Sequence, residues 1–141
     1  MSEAFLPLVL EERLLLIETR YVREILGSVQ VTRVPHASLR LPGVFAHGHR
    51  ALPLLDLSPL LDLPTDRREP RLRTIVLQYD QETVGASADE VLEIVRIERA
   101  GIQPAHVWPG AYSKGEAQVR GRAATVVDVE RLIADCLPEA G

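Results

Sequence analysis

The chain has 141 residues and a formal net charge of −4, with 46% hydrophobic residues but only 4% aromatic ones. That apolar share excludes a disordered chain. The acidic balance and scarcity of rings exclude a nucleic-acid binder, which needs clustered cations and stacking platforms.

A single cysteine, Cys136, rules out a disulfide framework. No apolar run approaches the roughly 20 residues of a membrane span. The start, Met-Ser-Glu-Ala-Phe, lacks a signal peptide's basic and apolar regions. A cytoplasmic chain with no direct membrane insertion is expected. Its length suits one domain, or two very small halves sharing a core.

Phe5 to Leu10 reads as a first strand, Glu11-Glu12 as a turn and Arg13 to Ile17 as the return strand. The unbroken run Leu14-Leu15-Leu16-Ile17 implies burial on both faces or a switch between sheets. From Glu18 to Leu26 the spacing of Tyr21, Val22 and Ile25 predicts one face of a helix, capped by Gly27. Val29, Val31 and Arg33 share one side of a further strand. Pro35 and Pro42 bracket a loop with His36 and Ser38.

Gly43 to Leu61 then reads as strand, tight turn, strand and short helix. Val44 and Phe45 start the first strand. Gly48, between His47 and His49, marks the tip, because glycine takes φ > 0 without a Cβ clash. Arg50 to Leu55 returns. Asp56 or Ser58 caps the helix, with Pro59 in its first turn.

Residues 64–71 form a charged linker bounded by prolines. Leu72 to Tyr79 is a β-branched strand, Asp80-Gln81-Glu82 a turn and Thr83 to Ala88 its return. Ile97 to Gly110 is an irregular connection containing Pro104, His106, Trp108 and Pro109. Tyr112 to Val119 and Ala123 to Val127 form a last hairpin. Asp128 caps a final helix, with Val129, Leu132, Ile133 and Cys136 on one face and Pro138 at its end.

Two stretches repeat. Aligning Asp56 with Asp128, a shift of 72 residues, matches Arg50 to Arg122, Ala51 to Ala123 and Leu60 to Leu132. Aligning Val22 with Val91, a shift of 69, matches Glu24 to Glu93 and Ile25 to Ile94. The chain is therefore read as internally duplicated, with Ile25 and Ile94 as equivalent buried plugs. Many short strands indicate small barrels or a sandwich.

No catalytic constellation emerges. His47 and His49 share a strand face and could bind a metal with Asp56 or His36, but zinc sites want three or four ligands. They read as a polar hairpin tip, with a small metal-dependent hydrolase as the competing enzyme reading. Asp89-Glu90, Glu11-Glu12 and the arginines from Arg67 to Arg73 read as solvated turns and linker. Cys136 reads as a core residue. No catalytic residue, cofactor site or metal site is assigned. A duplicated, aliphatic β domain points to protein partners met through apolar grooves and sheet edges.

The motifs in order resemble the CheW family, the coupling proteins of bacterial chemosensory arrays. They are Ile17-Glu-Thr-Arg-Tyr-Val-Arg-Glu-Ile25, Val31-Thr-Arg-Val-Pro35, Gly43 with Pro53-Leu-Leu-Asp-Leu57, Ala88-Asp-Glu-Val91, and Val126-Val-Asp-Val-Glu-Arg-Leu-Ile133. The first looks like that family's signature helix. The resemblance implies one CheW-like domain over residues 1–141, mainly β, built as two interlocked SH3-like five-stranded barrels with short connecting helices and a C-terminal helix. Its approximate halves are 18–71 and 72–141, the first completed by return strands from the C-terminal part.

The resemblance also implies a non-catalytic scaffold with two partners. One is the regulatory domain of a CheA-type histidine kinase; the other is the cytoplasmic tip of a methyl-accepting receptor. Val31 and Gly43 fall where the family meets the kinase. Val22 and Glu24 fall in the neighbourhood of partner contacts, and Gly48 and Arg50 at the hairpin tip. The tip departs from the family's Asn-Leu-Arg-Gly, reading Ala46-His47-Gly48-His49. An alternative is therefore an adaptor that binds only one partner.

Overall fold

A computed structural model describes residues 1–33, 43–60, 71–104 and 112–136. The loop with His36 and Ser38, the linker at 64–70, His106, Trp108, Pro109 and Pro138 lie outside these residues.

Strands β1 (Ser2–Leu10) and β2 (Arg13–Glu18) form an antiparallel hairpin. Its turn residues Glu11 and Glu12 have φ of 49° and 65°, the left-handed pair that suits a two-residue hairpin. All four residues from Leu14 to Ile17 are buried. Leu15 and Ile17 join the largest core cluster, whereas Leu14 and Leu16 join a second. Alternation sends neighbouring side chains to opposite faces, so β2 is buried on both.

Residues 18–26 correct the expected helix. Thr19–Tyr21 make one 3-10 turn, and β3 (Val22–Leu26) is a strand. It pairs antiparallel with β6 (Arg73–Tyr79), Ile25 opposite Ile75. Partners far along the chain override a local helical spacing. Ile25 is 46% exposed and Ile94 61%, so neither is a buried plug. Ile25 lies on an edge strand, and Ile94 falls between β8 (Glu90–Val91) and β9 (Val95–Glu98). Nor do residues 29–33 form the expected strand; only Thr32 makes a bridge.

The hairpin of β4 (Gly43–His47) and β5 (Arg50–Leu55) runs into α1 (Leu57–Leu60). Asp56 is the cap, its Oδ1 accepting from the Ser58 N–H at 3.0 Å. After β6 comes β7 (Glu82–Ala88). After β9, the hairpin of β10 (Ser113–Val119) and β11 (Arg122–Val127) runs into α2 (Val129–Cys136). Asp128 caps α2 through the Arg131 N–H at 3.1 Å. Val129, Leu132 and Ile133 turn inward, as their spacing predicts.

Two mixed sheets result. One has the order β10-β11-β2-β1-β8, with β9 also on β1; the other is β3-β6-β7-β5-β4. Each takes one hairpin from either half of the chain, so the halves interlock. The parallel contacts are β11 on β2 and β5 on β7. Shifts of 72 and 69 residues carry the pair Leu54–Gly85 onto Val126–Leu16, so register is duplicated as well as sequence.

Among the described residues both ladders are open, and one sheet has six strands. The expected closed five-stranded barrels are not reached. Each open side is spanned by one bridge, Thr32 to Val44 in one half and Gln103 to Glu116 in the other.

Candidate functional site

The β4–β5 hairpin gathers most of the residues singled out by sequence. Gly48 opens its turn with φ +61° and has nothing near its Cβ position. Arg50 is exposed opposite His47 in register. His47 Nε2 lies 2.7 Å from Glu24 Oε2, which reaches over from β3. Glu24, His47, Gly48 and Arg50 thus meet at one end of the hairpin.

Val31 and Gly43 meet at its other end. A Cβ on Gly43 would lie 2.3 Å from the Thr32 carbonyl oxygen and 2.8 Å from Val31 Cγ1. The bridge explains this, since Thr32 and Val44 exchange both backbone hydrogen bonds at 2.7 and 2.9 Å. Gly43 is buried beneath its own chain, so a side chain there acts first on the fold. Val31 packs on the cluster of Phe45, Leu52, Leu54 and Val76. Val22 is half-buried against the largest core.

Three features escaped the sequence. The first is a groove of about 290 Å³ in the second half, lined by Pro7, Val91, Leu92, Glu93, Val95, Val119 and Arg120. The 72-residue repeat was its signal, because it sets Arg120-Gly121 at the positions of Gly48-His49. Arg120 and Gly121 carry φ of 50° and 80°, so an Arg-Gly pair fits this turn.

The second is a buried ion cluster that corrects the solvated reading of Arg71, Asp89 and Glu11. Arg71 Nη1 lies 2.9 Å from Asp89 Oδ1 and 2.9 Å from Glu11 Oε1, while Nη2 donates to Ser58 Oγ at 2.7 Å. Burial works against the Arg71 charge, yet Asp89 and Glu11 outweigh it and its pKa is raised. Four chain segments meet there, and nothing in the local spacing announced it.

The third ties the 3-10 turn to α2. Buried Glu18 pairs with Lys114 at 2.9 Å and Arg20 at 2.7 Å. The Tyr21 hydroxyl donates to Glu130. Burial, then that hydrogen bond, raises the Tyr21 pKa. The bond in turn holds the Glu130 carboxyl below the usual range.

Among the described residues no group of three His, Cys, Asp or Glu side chains is placed to hold a metal. No helix there is long and apolar enough to cross a membrane. Apolar grooves, exposed strand edges and charged hairpin tips on two interlocked sheets define a partner-binding module.

The CheW-like domain model matches residues 4–136. The chemotaxis protein CheW of Rhizobium meliloti (strain 1021) is 29% identical over 113 residues, covering 77% of this chain and 73% of its own. A probable chemotaxis protein CheW of Rhizobium etli is 27% identical over 123 residues, covering 84% and 79%. The crystal structure of the scaffolding protein TtCheW from Thermoanaerobacter tengcongensis superposes with a TM-score of 0.80 at 19% identity, covering 90% of this chain and 89% of that one. The chain belongs to the CheW-like family, and with it to the chemotaxis coupling scaffolds.

Proposed function

We propose that this chain links the regulatory domain of a CheA-type histidine kinase to the cytoplasmic tip of a methyl-accepting receptor, working in the cytoplasm without catalysis. The match over residues 4–136 carries this reading. The open edge of β3 and the exposed tip at Gly48 and Arg50 support it, since edges and tips are what a scaffold offers to partners. In this reading the two spanned sheets play the part of the family's SH3-like barrels, and Val22, Glu24, Val31, Gly48 and Arg50 belong to the partner surface, which Gly43 shapes from beneath the Thr32 bridge.

A second reading rests on the tip. Gly48 stands where the family pattern has an arginine, the residue that grips a carboxylate with two hydrogen bonds. Its loss favours an adaptor that holds one partner firmly.

Calorimetric titration with a kinase regulatory domain and with a receptor-tip fragment tests both. Similar affinity for the two supports the scaffold. Binding of one alone supports the adaptor, and binding of neither overturns both. The double variant Gly48→Arg, His49→Gly copies the Arg120-Gly121 turn. In the adaptor case it is expected to strengthen the weak partner about ten- to a hundredfold. Gly43 variants are unsuitable probes because Thr32 blocks any Cβ there.

A further inference from the structure

The groove of the second half combines an apolar lining with two charges of opposite sign. Its apolar part is buried Pro7 with half-buried Leu92, Val95 and Val119. The last three pack on the cluster of Phe5 and Leu16, so the lining is anchored in a core. Its volume of about 290 Å³ lies at the lower edge of small-molecule sites, roughly 300–1,000 Å³. It suits one branched aliphatic group and little more.

Glu93 and Arg120 complete the lining, and both are exposed. Glu93 follows β8 and Arg120 stands in the β10–β11 turn, at opposite ends of the same sheet. Neither side chain makes an ion pair or a hydrogen bond among the described residues, and they do not pair with each other. Apolar walls focus the field of such charges into a cleft.

The first half lacks this combination. The 69-residue shift carries Glu93 onto Glu24, and the 72-residue shift carries Arg120 onto Gly48. Glu24 is taken up by His47 at 2.7 Å. Gly48 carries no charge.

We propose that the second-half groove binds a free aliphatic amino acid. Its side chain lies on Pro7, Leu92, Val95 and Val119. Its carboxylate meets the Arg120 guanidinium, which can hold it with two parallel hydrogen bonds, and its ammonium meets the Glu93 carboxylate. A free amino acid carries both charges and the side chain on one carbon, so a single small molecule satisfies all three parts of the lining. A peptide segment has to supply the charges from flanking residues and order them as it binds. Bound there, the amino acid ties the Glu93 connection to the β10–β11 turn across the open side of the sheet.

The site belongs to this chain alone and holds whichever partner the scaffold takes. L-Leucine is the probe, titrated into the full chain at neutral pH and read from its methyl carbon–proton spectrum. The methyls of Leu92, Val95 and Val119 are expected to shift, and those of Val22 and Leu26 in the first half to stay still. Isocaproate lacks the ammonium and isopentylamine lacks the carboxylate. Each is expected to bind about two to five times more weakly than leucine, the scale of an exposed ion pair. Glu93→Gln is expected to weaken leucine by that factor and leave isocaproate unchanged. Arg120→Gln is expected to weaken leucine and isocaproate and leave isopentylamine unchanged. Absence of any shift in the second-half methyls overturns the proposal. So does neutral N-acetyl-leucine amide binding as tightly as leucine, since the groove then reads only an aliphatic body, as it would on a partner protein. A variant that weakens all three ligands equally also overturns it, because its residue then shapes the groove without meeting a charge.

Discussion

The cores of the two sheets fill the same space with opposite residues. In the first half Phe45 on β4 is buried over Gly85 on β7, where an added Cβ would lie 2.4 Å from the ring. The repeat carries Phe45 onto Ala117 and Gly85 onto Leu16, two members of one buried cluster. Bulk has moved from one strand to its neighbour once removed. Duplication has preserved volume and register rather than side chains, as expected of interiors packed to crystal density.

The strongest way to break that comparison is to undo one half of the exchange. Phe45→Ala is expected to cost about 3–5 kcal/mol, the usual range for emptying a buried aromatic site. Gly85→Leu alone should overpack the site and destabilise it. Together the two changes copy the Ala117–Leu16 arrangement and are expected to recover much of the loss in urea unfolding. Strict additivity of the two penalties would show that the sites are not interchangeable.

Next in size is a comparison of helix starts. Ser58 on α1 and Glu130 on α2 occupy equivalent positions under the 72-residue shift. Ser58 is fully buried and holds Arg71. Arg71→Met would take the guanidinium away from Asp89 and Glu11 and put an apolar chain in its place. Both carboxylates are partly exposed, so the expected cost is about 3 kcal/mol, the lower end for a broken buried pair. A thermal melt that matches the parent would mean that water replaces the guanidinium freely.

A smaller effect separates two glycines. Gly43 and Gly115 are also related by the shift, and each lies under a bridging chain. A Cβ would meet the Thr32 carbonyl oxygen at 2.3 Å in one case and that of Gln103 at 2.6 Å in the other. Gly115 adds φ of +151°, a conformation that L side chains avoid. Alanine at either site is expected to cost about 1–3 kcal/mol, an overpacking penalty. Gly115→Ala should be the worse of the two by chemical denaturation if backbone strain outweighs the tighter approach at Gly43. The reverse order would mean that steric approach costs more than backbone strain.

The same comparisons show what local pattern could and could not reveal. The hairpins, their turns and the Asp128 cap were legible, and the first cap was narrowed to Asp56 or Ser58, because these are set by neighbours in sequence. So was the duplication, and through it the equivalence of the two tips. β3 was not, because it is an edge strand whose mostly exposed residues show no two-residue alternation. Its identity comes from β6, which is distant in sequence but adjacent in space. The Arg71 cluster was hidden for a related reason: each member alone looks like a solvated charge. The candidate partner residues came from the family resemblance. Only the structure divides them into an exposed group at the tip, a pair held by the Thr32 bridge, and Val22 set half-buried against the largest core.

The smallest expected effect concerns the other helix start. Glu130 is held below the ordinary carboxylate range chiefly by the Tyr21 hydroxyl, with help from Tyr79, Arg20 and Lys114 and against some desolvation. A carboxylate with a depressed folded-state pKa contributes stability above its unfolded value, about 4.3 for glutamate, and loses it as pH falls through the folded value. Tyr21 acts in the opposite sense. Its pKa is raised, first by burial and then by Glu130. Its contribution is complete below the ordinary phenol value of about 10 and is lost as pH rises beyond it. The pair therefore supports the fold across the neutral range and fails at both ends. Glu130→Gln is expected to flatten the acid limb of the stability–pH curve and soften the alkaline limb, with little change in its shape near neutrality. Ser58, the equivalent residue on α1, carries no titrating group, so Ser58→Ala should lower the whole curve without removing that acid-limb dependence. If Glu130→Gln leaves the acid limb as steep as in the parent, the Tyr21 contact does not persist in solution, and the link from the 3-10 turn to α2 falls to the Arg20–Glu130 pair at 3.8 Å.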